Sequence, residues 1–373
     1  MLFDNFTKTI KLKTSVGNKT LVHYPKELNK CWAQHILNYH APKGKVSDVI
    51  VQSVNIGTTT RLRVKVEHNS PDVLPSNWFV KTPSLLLRSR LITALPRLLH
   101  KEIFFYRTLA KHTPVMLPPI LAAQSQFGRG STLVMTDLDE FGFRSGQPIE
   151  ALTLFQASQV VENLAQLHGH YWENSHLLQN QPWLGGFNAS AENHLGSLLA
   201  VPLMRRGLMR AGILVPTRLH RPALNYAANR RKMMRILATG AQTLVHHDCH
   251  PGNIFWTAQN QPGFLDWQLV RMGEGISDIA YFMATSLEPE TRRVHEKQLL
   301  DIYLAALIKQ GIDGLDERRL FQRYQVHLSY AFEAMVVTLA IGGMMDHAAN
   351  IEQIRRVSAA VDDHDSFKAL TLQ

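Results

Sequence analysis

A chain of 373 residues exceeds one ordinary domain, so we expect two domains or two lobes. The 45% hydrophobic and 19% charged residues permit a sizeable core and exclude a predominantly disordered chain. The formal net charge of +10 favours anionic ligands, but no recognisable nucleic-acid module accompanies it, so we predict no binding to nucleic acid.

The cysteines and the apolar runs indicate the compartment. The two cysteines, Cys31 and Cys249, are far apart, which argues against a disulfide framework and suits a reducing cytosol. Residues 1–8 lack the apolar stretch of a signal peptide, and the longest apolar run, 334–345, is shorter than the roughly 20 residues of a membrane span. We interpret that run as a buried core helix, and we expect a soluble, cytoplasmic protein with no membrane partner.

The pattern between residues 45 and 84 is typical of β-strands. Residues 61–66 alternate strictly between basic and apolar side chains, as in a strand with one buried face. Before them, a turn contains Gly57, Thr58 and Thr59. Such a turn between two strands could cover the phosphates of a nucleotide, because glycine permits close approach and threonine offers hydroxyl and amide groups. An ordinary hairpin remains the alternative, since there is only one glycine.

Two charged residues follow in a context that suits phosphate binding. Lys81 lies at the end of an apolar strand, and Glu102 is the only acid of the amphipathic helix predicted at 100–110. A strand lysine held by a helix glutamate can contact the α- and β-phosphates of ATP. We therefore predict a Lys81–Glu102 ion pair. Lys65 is the rival lysine, and a surface pair of Glu102 with Arg107 is the rival pairing.

The pattern changes from strands to helices in the middle of the chain. Residues 118–138 predict two further strands, and the turn-rich stretch 141–148 separates them from apolar residues that recur at three- and four-residue steps. Further on, residues 201–240 hold eight Arg, one Lys and no acid. A solvated basic face is the favoured interpretation of this segment, while an anionic substrate and an acidic partner remain open.

The segment 244–253, Leu-Val-His-His-Asp-Cys-His-Pro-Gly-Asn, carries the clearest chemistry together with Gly-Phe-Leu-Asp-Trp at 263–267. Asp248 precedes Asn253 by five positions, and Asp266 follows thirteen positions later. Phosphoryl transfer needs an Asp that accepts the substrate hydroxyl proton, and an Asn and a second Asp that hold Mg²⁺ against the phosphates. Protein kinases use the same Asp-to-Asn spacing in H-R-D-x-x-x-x-N, followed by D-F-G.

Two other chemistries deserve comparison with this interpretation. A protein kinase is disfavoured, because His247 replaces the arginine before the catalytic Asp and Trp-Gln follows Asp266 where Phe-Gly is expected. A metallohydrolase is also conceivable, because His246, His247, Asp248 and His250 are close in sequence. Zinc ligands, however, usually lie on one helix face or across a short knuckle, and His-His-Asp-Cys-His matches neither.

The pattern His-x-Asp-x-His-x-x-Asn, then Leu-Asp-Trp, resembles the aminoglycoside phosphotransferase and choline kinase superfamily of small-molecule kinases. Together with Leu-Ala-Gln-Leu-His-Gly-His-Tyr-Trp at 164–172, it is most similar to the ecdysteroid kinase-like branch. The resemblance implies an α+β, bilobal protein kinase-like fold with a small β-rich N-lobe and a larger, mainly helical C-lobe. We therefore expect a nucleotide-binding lobe at 1–138 and a catalytic, substrate-binding lobe at 139–373.

The resemblance also implies an ATP- and Mg²⁺-dependent kinase that phosphorylates the hydroxyl of a small-molecule alcohol; a catalytically silent nucleotide-binding protein is the alternative. Asp248 would be the catalytic base, with His250 bracing its loop, and Asn253 and Asp266 would bind Mg²⁺. Asp278 would orient the catalytic loop. The nucleotide would be bound by Lys81 with Glu102, by the turn at Gly57, Thr58 and Thr59, and by the backbone near Met135 and Asp137.

The resemblance further implies that His168 is a core histidine and not a ligand. It leaves the acceptor alcohol open, because sterol-like alcohols, amino alcohols, sugars and antibiotics all have precedents in related families. The basic segment at 201–240 weakly favours an anionic acceptor.

Overall fold

The computed structural model describes residues 20–85, 98–126, 129–173, 176–179, 181–185 and 191–373. Its chain forms two compact units. The first consists of Met1–His112, Leu117–Arg144 and Thr257–Gln259, and the second of Thr113–Met116, Ser145–Trp256 and Asn260–Gln373. The predicted domain boundary after residue 138 stays a prediction, and the predicted absence of a signal peptide concerns residues outside the described ranges.

The first unit is built on a five-stranded antiparallel sheet in the order β1-β2-β3-β5-β4. Its strands are β1 (Val46–Ile56), β2 (Thr59–His68), β3 (Asn77–Pro83), β4 (Ile120–Gln126) and β5 (Gly130–Thr136). Two helices belong to the same unit, α1 (Lys30–His40) and α2 (Leu98–Thr108).

The alternation of basic and apolar residues in β2 explains why one face of this sheet is buried. Leu62, Val64 and Val66 are buried, as the period of two predicts for a strand with one face against a core. Trp32 of α1 packs edge-on against Trp78 of β3 in the same cluster, with ring centroids 5.9 Å apart. The predicted strand pattern at 61–66 is therefore confirmed, and the helix predicted at 100–110 corresponds to α2.

The second unit is mainly helical. Its helices are α3 (Leu154–His170), α4 (His176–Gln179), α5 (Ala191–Ala211), α6 (Thr217–Ala228), α7 (Arg230–Ile236), α8 (Ile276–Ser286), α9 (Pro289–Ile308), α10 (Glu317–Ile341), α11 (His347–Asp363) and α12 (Ser366–Thr371). The long helix α10 packs against α5, α8 and α11. A capping box at Thr153 and Gln156 begins α3, which explains why a helix starts there.

Short strands adjoin residues 244–253 and 263–267. β6 (Arg144–Ser145) is where the chain passes from the first unit into the second; β7 (Gln242–Val245) pairs with β10 (Arg271–Glu274), and β8 (Ile254–Trp256) pairs with β9 (Pro262–Phe264). The predicted α+β class, with a β-rich N-terminal lobe and a mainly helical C-terminal lobe, is confirmed.

The core helix predicted from the apolar run 334–345 is too long at its C-terminal end. α10 ends at Ile341 because Gly342 and Gly343 both adopt left-handed backbone, with φ of 74° and 73°, and so terminate the helix. Within the described ranges, every helix is too short or too polar to cross a membrane.

Candidate active site

A buried carboxylate holds the start of residues 244–253, which we call the catalytic segment after its predicted role. Where β7 ends, the backbone N–H groups of His246 and His247 donate to the two carboxylate oxygens of Asp278, at 2.7 and 2.8 Å. His247 has a φ of 69°, a conformation that non-glycine residues rarely adopt and that persists only when its surroundings impose it. Asp278, on the first turn of α8, thus fixes the backbone just before Asp248, as predicted.

The Asp278 carboxylate is itself contacted by a buried histidine. The His168 Nε2 lies 3.2 Å from the Asp278 Oδ2, and its Nδ1 lies 3.0 Å from the Tyr303 hydroxyl. His168 is fully buried, so it is the satisfied core histidine that was expected. The Cys249 thiol donates to the Asp278 carbonyl, and burial raises the pKa of that thiol well above its ordinary value. Cys249 is therefore a neutral, packed thiol.

The Asp248 carboxylate is oriented by two donors. Its Oδ1 accepts from the Tyr281 hydroxyl at 2.8 Å, and its Oδ2 accepts from the Asn253 Nδ2 at 3.0 Å. The same Asn253 Nδ2 also donates to the Asp248 carbonyl at 2.8 Å. Asp248 and Asn253 therefore contact each other directly. The Asp248 side chain is 17% exposed, so it is not sealed inside the core.

His250 braces the loop between these two residues. Its Nδ1 accepts from the Gly252 N–H at 3.1 Å, and its carbonyl accepts from the Asn253 N–H at 2.9 Å. The ring thus caps the short 3-10 turn Pro251–Asn253 that presents Asn253. Its Nε2 lies 3.9 Å from the Asp248 Oδ1, which is beyond hydrogen-bonding distance. This geometry suits the predicted bracing role better than a role in proton transfer.

Asp266 follows Leu265, whose backbone contacts two residues of the catalytic segment. The Leu265 N–H donates to the Asn253 carbonyl, and the Leu265 carbonyl contacts the His246 Nε2, both at 2.8 Å. Asp266 then adopts left-handed backbone, with φ 59° and ψ 65°. Strained backbone of this kind is enriched at ligand sites. The structure therefore joins Asp248 to Asn253 directly and places Asp266 one residue after the backbone partner of Asn253.

The residues predicted to hold a metal offer the ligands that Mg²⁺ prefers. The Asn253 Nδ2 serves Asp248, which leaves the amide oxygen as the atom able to bind a cation, and Asp266 supplies a carboxylate. Oxygen ligands of this kind suit Mg²⁺. Across the ranges described above, no three His, Cys, Asp or Glu side chains are grouped to hold a metal alone. The donor set thus fits an ion that completes its shell with phosphate and water.

The histidines of the segment do not form the alternative metal site. Both ring nitrogens of His246 face backbone groups, because Nδ1 accepts from the Asp248 N–H at 3.2 Å while Nε2 contacts the Leu265 carbonyl. The His247 ring lies 4.3 Å from the Tyr330 ring, centroid to centroid. His246 is therefore a structural brace, which the sequence did not indicate.

The first unit contains the predicted ion pair. The Lys81 Nζ lies 2.7 Å from the Glu102 Oε2, and only 3% and 1% of these side chains are exposed. Burying two charges is costly unless they pair, so the pair fixes the lysine on β3. The rival Lys65 lies at the surface beside Glu67, at 3.0 Å. Lys81 is thus the lysine with a restrained position.

The turn between β1 and β2 lies beside the strand that carries Lys81. The Gly57 N–H donates to the Thr59 carbonyl at 3.0 Å, and the Ser84 hydroxyl donates to the Gly57 carbonyl at 2.7 Å. Thr58 and Thr59 are buried. Among the described residues, a side-chain carbon added at Gly57 would meet only that Thr59 carbonyl, at 4.0 Å. Packing of the described residues therefore does not require glycine here.

The residues predicted to contact adenine end β5. Met135 is paired within the sheet, and the Asp137 N–H donates to the Asn77 carbonyl at 2.9 Å. Burial raises the pKa of the Asp137 carboxyl, against the opposing effect of the Asp139 N–H and of Arg63, whose Nε lies 3.2 Å away. The sheet uses the Asp137 N–H, so this group is not available to a ligand in this structure.

Sequence reasoning missed Tyr281, although its hydroxyl donates directly to the Asp248 carboxylate. Tyr281 lies three positions after Asp278 on α8, so both face the catalytic segment. Burial, then the neighbouring Asp248, raise the pKa of Tyr281 well above its ordinary value, so its hydroxyl remains a donor. The signal available in the sequence was this spacing from Asp278.

One family model and several solved structures match this chain. Residues 57–312 match the model of the ecdysteroid kinase-like family. The aminoglycoside 2'-phosphotransferase-IIIa in its GDP complex has a similar fold, with 11% identity, a TM-score of 0.52 and coverage of 90% of this chain and 99% of that chain. The Plasmodium vivax ethanolamine kinase is 15% identical, with a TM-score of 0.49 and coverage of 95% and 94%. No curated protein matches the sequence.

Proposed function

Because the chain belongs to the ecdysteroid kinase-like family, we propose that it is a kinase that transfers the γ-phosphoryl group of ATP to the hydroxyl of a small-molecule alcohol. One observation carries the proposal. Asp248 contacts Asn253 directly, and the Asn253 carbonyl accepts a hydrogen bond from Leu265, the residue before Asp266. This is the set of groups that phosphoryl transfer requires.

Asp248 would bind the acceptor hydroxyl and take its proton. The carboxylate is fixed by Tyr281 and Asn253, but each oxygen has a second lone pair that can accept a hydrogen bond. Because phosphoryl transfer passes through a loose transition state, positioning of the hydroxyl matters more than the basicity of the carboxylate. Asp248 therefore orients the acceptor first and accepts its proton late, while His250 keeps the loop in place.

The nucleotide would be held by the three groups of residues predicted to bind it. Lys81, restrained by Glu102, would contact the α- and β-phosphates, and the turn at Gly57, Thr58 and Thr59 would cover the phosphates. Near Met135 and Asp137, adenine would be recognised through backbone carbonyls, because the Asp137 N–H is used by the sheet.

Asn253 and Asp266 would hold Mg²⁺, through the amide oxygen and the carboxylate. When bound, the ion neutralises charge on the phosphates and orients them. A reducing compartment, and so a cytoplasmic location, is consistent with Cys31 and Cys249, which are both free.

The proposal is tested by following ADP release from Mg²⁺-ATP with a panel of sterol-like alcohols, amino alcohols and sugars. We expect one alcohol class to accelerate release, and Asp248→Asn to abolish the acceleration while nucleotide binding persists. Asp301→Asn, at an exposed carboxylate of α9, is the matched control and should behave as the wild type. Nucleotide binding without turnover for any alcohol would instead support a catalytically silent protein.

A further inference from the structure

The structure separates the basic residues of segment 201–240 into two groups. Three are used by the fold: Arg210 donates to the Leu339 and Ala340 carbonyls at the end of α10, Arg218 pairs with Asp362, and Arg230 pairs with Glu333. The remaining six are exposed, and none has an ion pair within the described part of the chain: Arg205, Arg206, Arg221, Arg231, Lys232 and Arg235. The fold therefore leaves most of this positive charge at the surface.

Helix α5 carries two of these arginines, and its inner face is packed. Ala200, Met204, Leu208 and Ala211 are buried. Between them, Gly207 lies against Val336 of α10 so closely that a side-chain carbon there would lie 2.3 Å from the Val336 carbonyl oxygen. The orientation of α5 is thus set by α10, and its opposite face must point to solvent.

That outer face is also apolar. Leu198 and Met209 are each 71% exposed, and Ile213, in the turn directly after α5, is 99% exposed. At 3.6 residues per turn, Leu198, Pro202 and Met209 lie within about 40° of one another around the helix axis, with Arg205 on one side and Arg206 on the other. We call Leu198, Pro202, Met209 and Ile213 the outer seam; it extends about 23 Å along the helix.

A helix with apolar residues on two opposite faces needs a partner on each. The partner of the outer seam must tolerate aliphatic side chains in its centre and attract arginines at its edges. Helices that lie in the plane of an anionic membrane have this arrangement, because the apolar line enters the acyl boundary while the arginines reach the phosphates. Protein interfaces favour Trp and Tyr anchors, and the outer seam has neither.

We infer that α5 and the turn after it bind the surface of an anionic membrane, with the outer seam inserted and Arg205 and Arg206 at the headgroups. The inner leaflet of a cell membrane, which carries anionic lipid, meets this charge requirement. The inference differs from our expectation of no membrane partner, and it does not depend on the proposed kinase activity.

Co-sedimentation with phosphatidylcholine vesicles, with and without about one third phosphatidylserine, tests this inference. We expect the full-length protein to bind only the vesicles that contain phosphatidylserine, and less at high salt. Arg205→Gln with Arg206→Gln should weaken partitioning about 30-fold, since each basic residue near an anionic leaflet contributes a factor of about five. Replacing Leu198, Met209 and Ile213 by serine should abolish sedimentation.

The matched controls are apolar residues elsewhere on the second unit that are at least half exposed. Replacing Val294, Ile308 and Leu372 by serine should leave vesicle binding unchanged. Equal binding of the outer-seam variant and the wild type would overturn the inference, as would equal binding to vesicles without phosphatidylserine. It would also be overturned by a dimer in sedimentation velocity that the outer-seam variant dissolves, together with no vesicle binding, because a second copy would then cover the face.

Discussion

At the scale of single residues, the hydrogen bond from Tyr281 to Asp248 is the contact whose removal says most about the site. Tyr281→Phe keeps the ring and deletes the donor to the Asp248 Oδ1, while the hydrogen bond from Asn253 to the Oδ2 remains. A hydrogen bond to a charged group contributes about 1.5 kcal/mol or more, which corresponds to a loss of about tenfold in kcat. The KM for Mg²⁺-ATP should not change, because Tyr281 binds the carboxylate that serves the acceptor.

Steady-state kinetics with a saturating acceptor measure kcat and the KM for Mg²⁺-ATP separately. Tyr324→Phe is the matched control, since the Tyr324 hydroxyl contacts Glu296 in a different cluster at 3.3 Å. An unchanged kcat in Tyr281→Phe, or equal losses in both variants, would show that the Tyr281 hydroxyl does not position Asp248.

The residue scale also shows what spacing in the sequence can predict. Asp248 and Asn253 belong to one loop, so five intervening peptide steps fix their proximity, and the buried Lys81–Glu102 pair followed from an apolar strand and a helix with one acid. Tyr281 and His246 escaped prediction for a physical reason. Tyr281 meets Asp248 across 33 positions, and His246 acts on a backbone carbonyl that has no sequence signature.

At the scale of elements, α5 contains two glycines whose surroundings differ. A side-chain carbon on Gly207 would collide with the Val336 backbone oxygen of α10, whereas the nearest described atom to one on Gly196 would be the Arg230 Nη1, at 3.3 Å. Gly207→Ala must push two helices apart and should reduce the free energy of unfolding by about 1–3 kcal/mol. Gly196→Ala should leave it unchanged or raise it by up to about 1 kcal/mol, because alanine favours the helix.

Urea unfolding of the two variants beside the wild type measures both free energies. Equal destabilisation by the two substitutions would mean that helix interior glycines matter here for a reason other than the contact between α5 and α10.

The ends of elements were harder to predict than their type. The run 334–345 indicated a helix correctly, but periodicity alone did not show that Gly342 would leave the helical conformation. The basic segment presents the same difficulty, because composition cannot distinguish Arg210, which donates to carbonyl oxygens of α10, from Arg205 and Arg206 of the same helix.

At the scale of the whole molecule, acid stability should depend on a buried carboxylate that joins β10 to α10. Burial alone would raise the pKa of Glu274, but His327 and Arg323 outweigh burial and lower it from 4.5 to about 2. A carboxyl whose pKa is lower in the folded state stabilises the fold above pH 4.5, and that stability is lost as the pH falls from 4.5 towards 2. The contribution is about 3 kcal/mol.

Thermal unfolding between pH 7 and pH 3 tests this expectation. The wild type should lose stability steeply below pH 4.5, and Glu274→Gln should be less stable at pH 7 but show a shallower decline. Glu317→Gln, at an exposed carboxylate of α10, is the control and should follow the wild type. Parallel curves for wild type and Glu274→Gln would assign the acid sensitivity to other groups.

The central claim is that Asp248, Asn253 and Asp266 form one site that binds a nucleotide together with Mg²⁺. Calorimetric titration of ATP into the wild type and Asp266→Ala, with Mg²⁺ and with EDTA, tests it most directly. We predict that the wild type binds ATP at least about tenfold more tightly with Mg²⁺ than with EDTA, and that Asp266→Ala loses this difference. An Mg²⁺ dependence of the same size in both proteins would contradict the account.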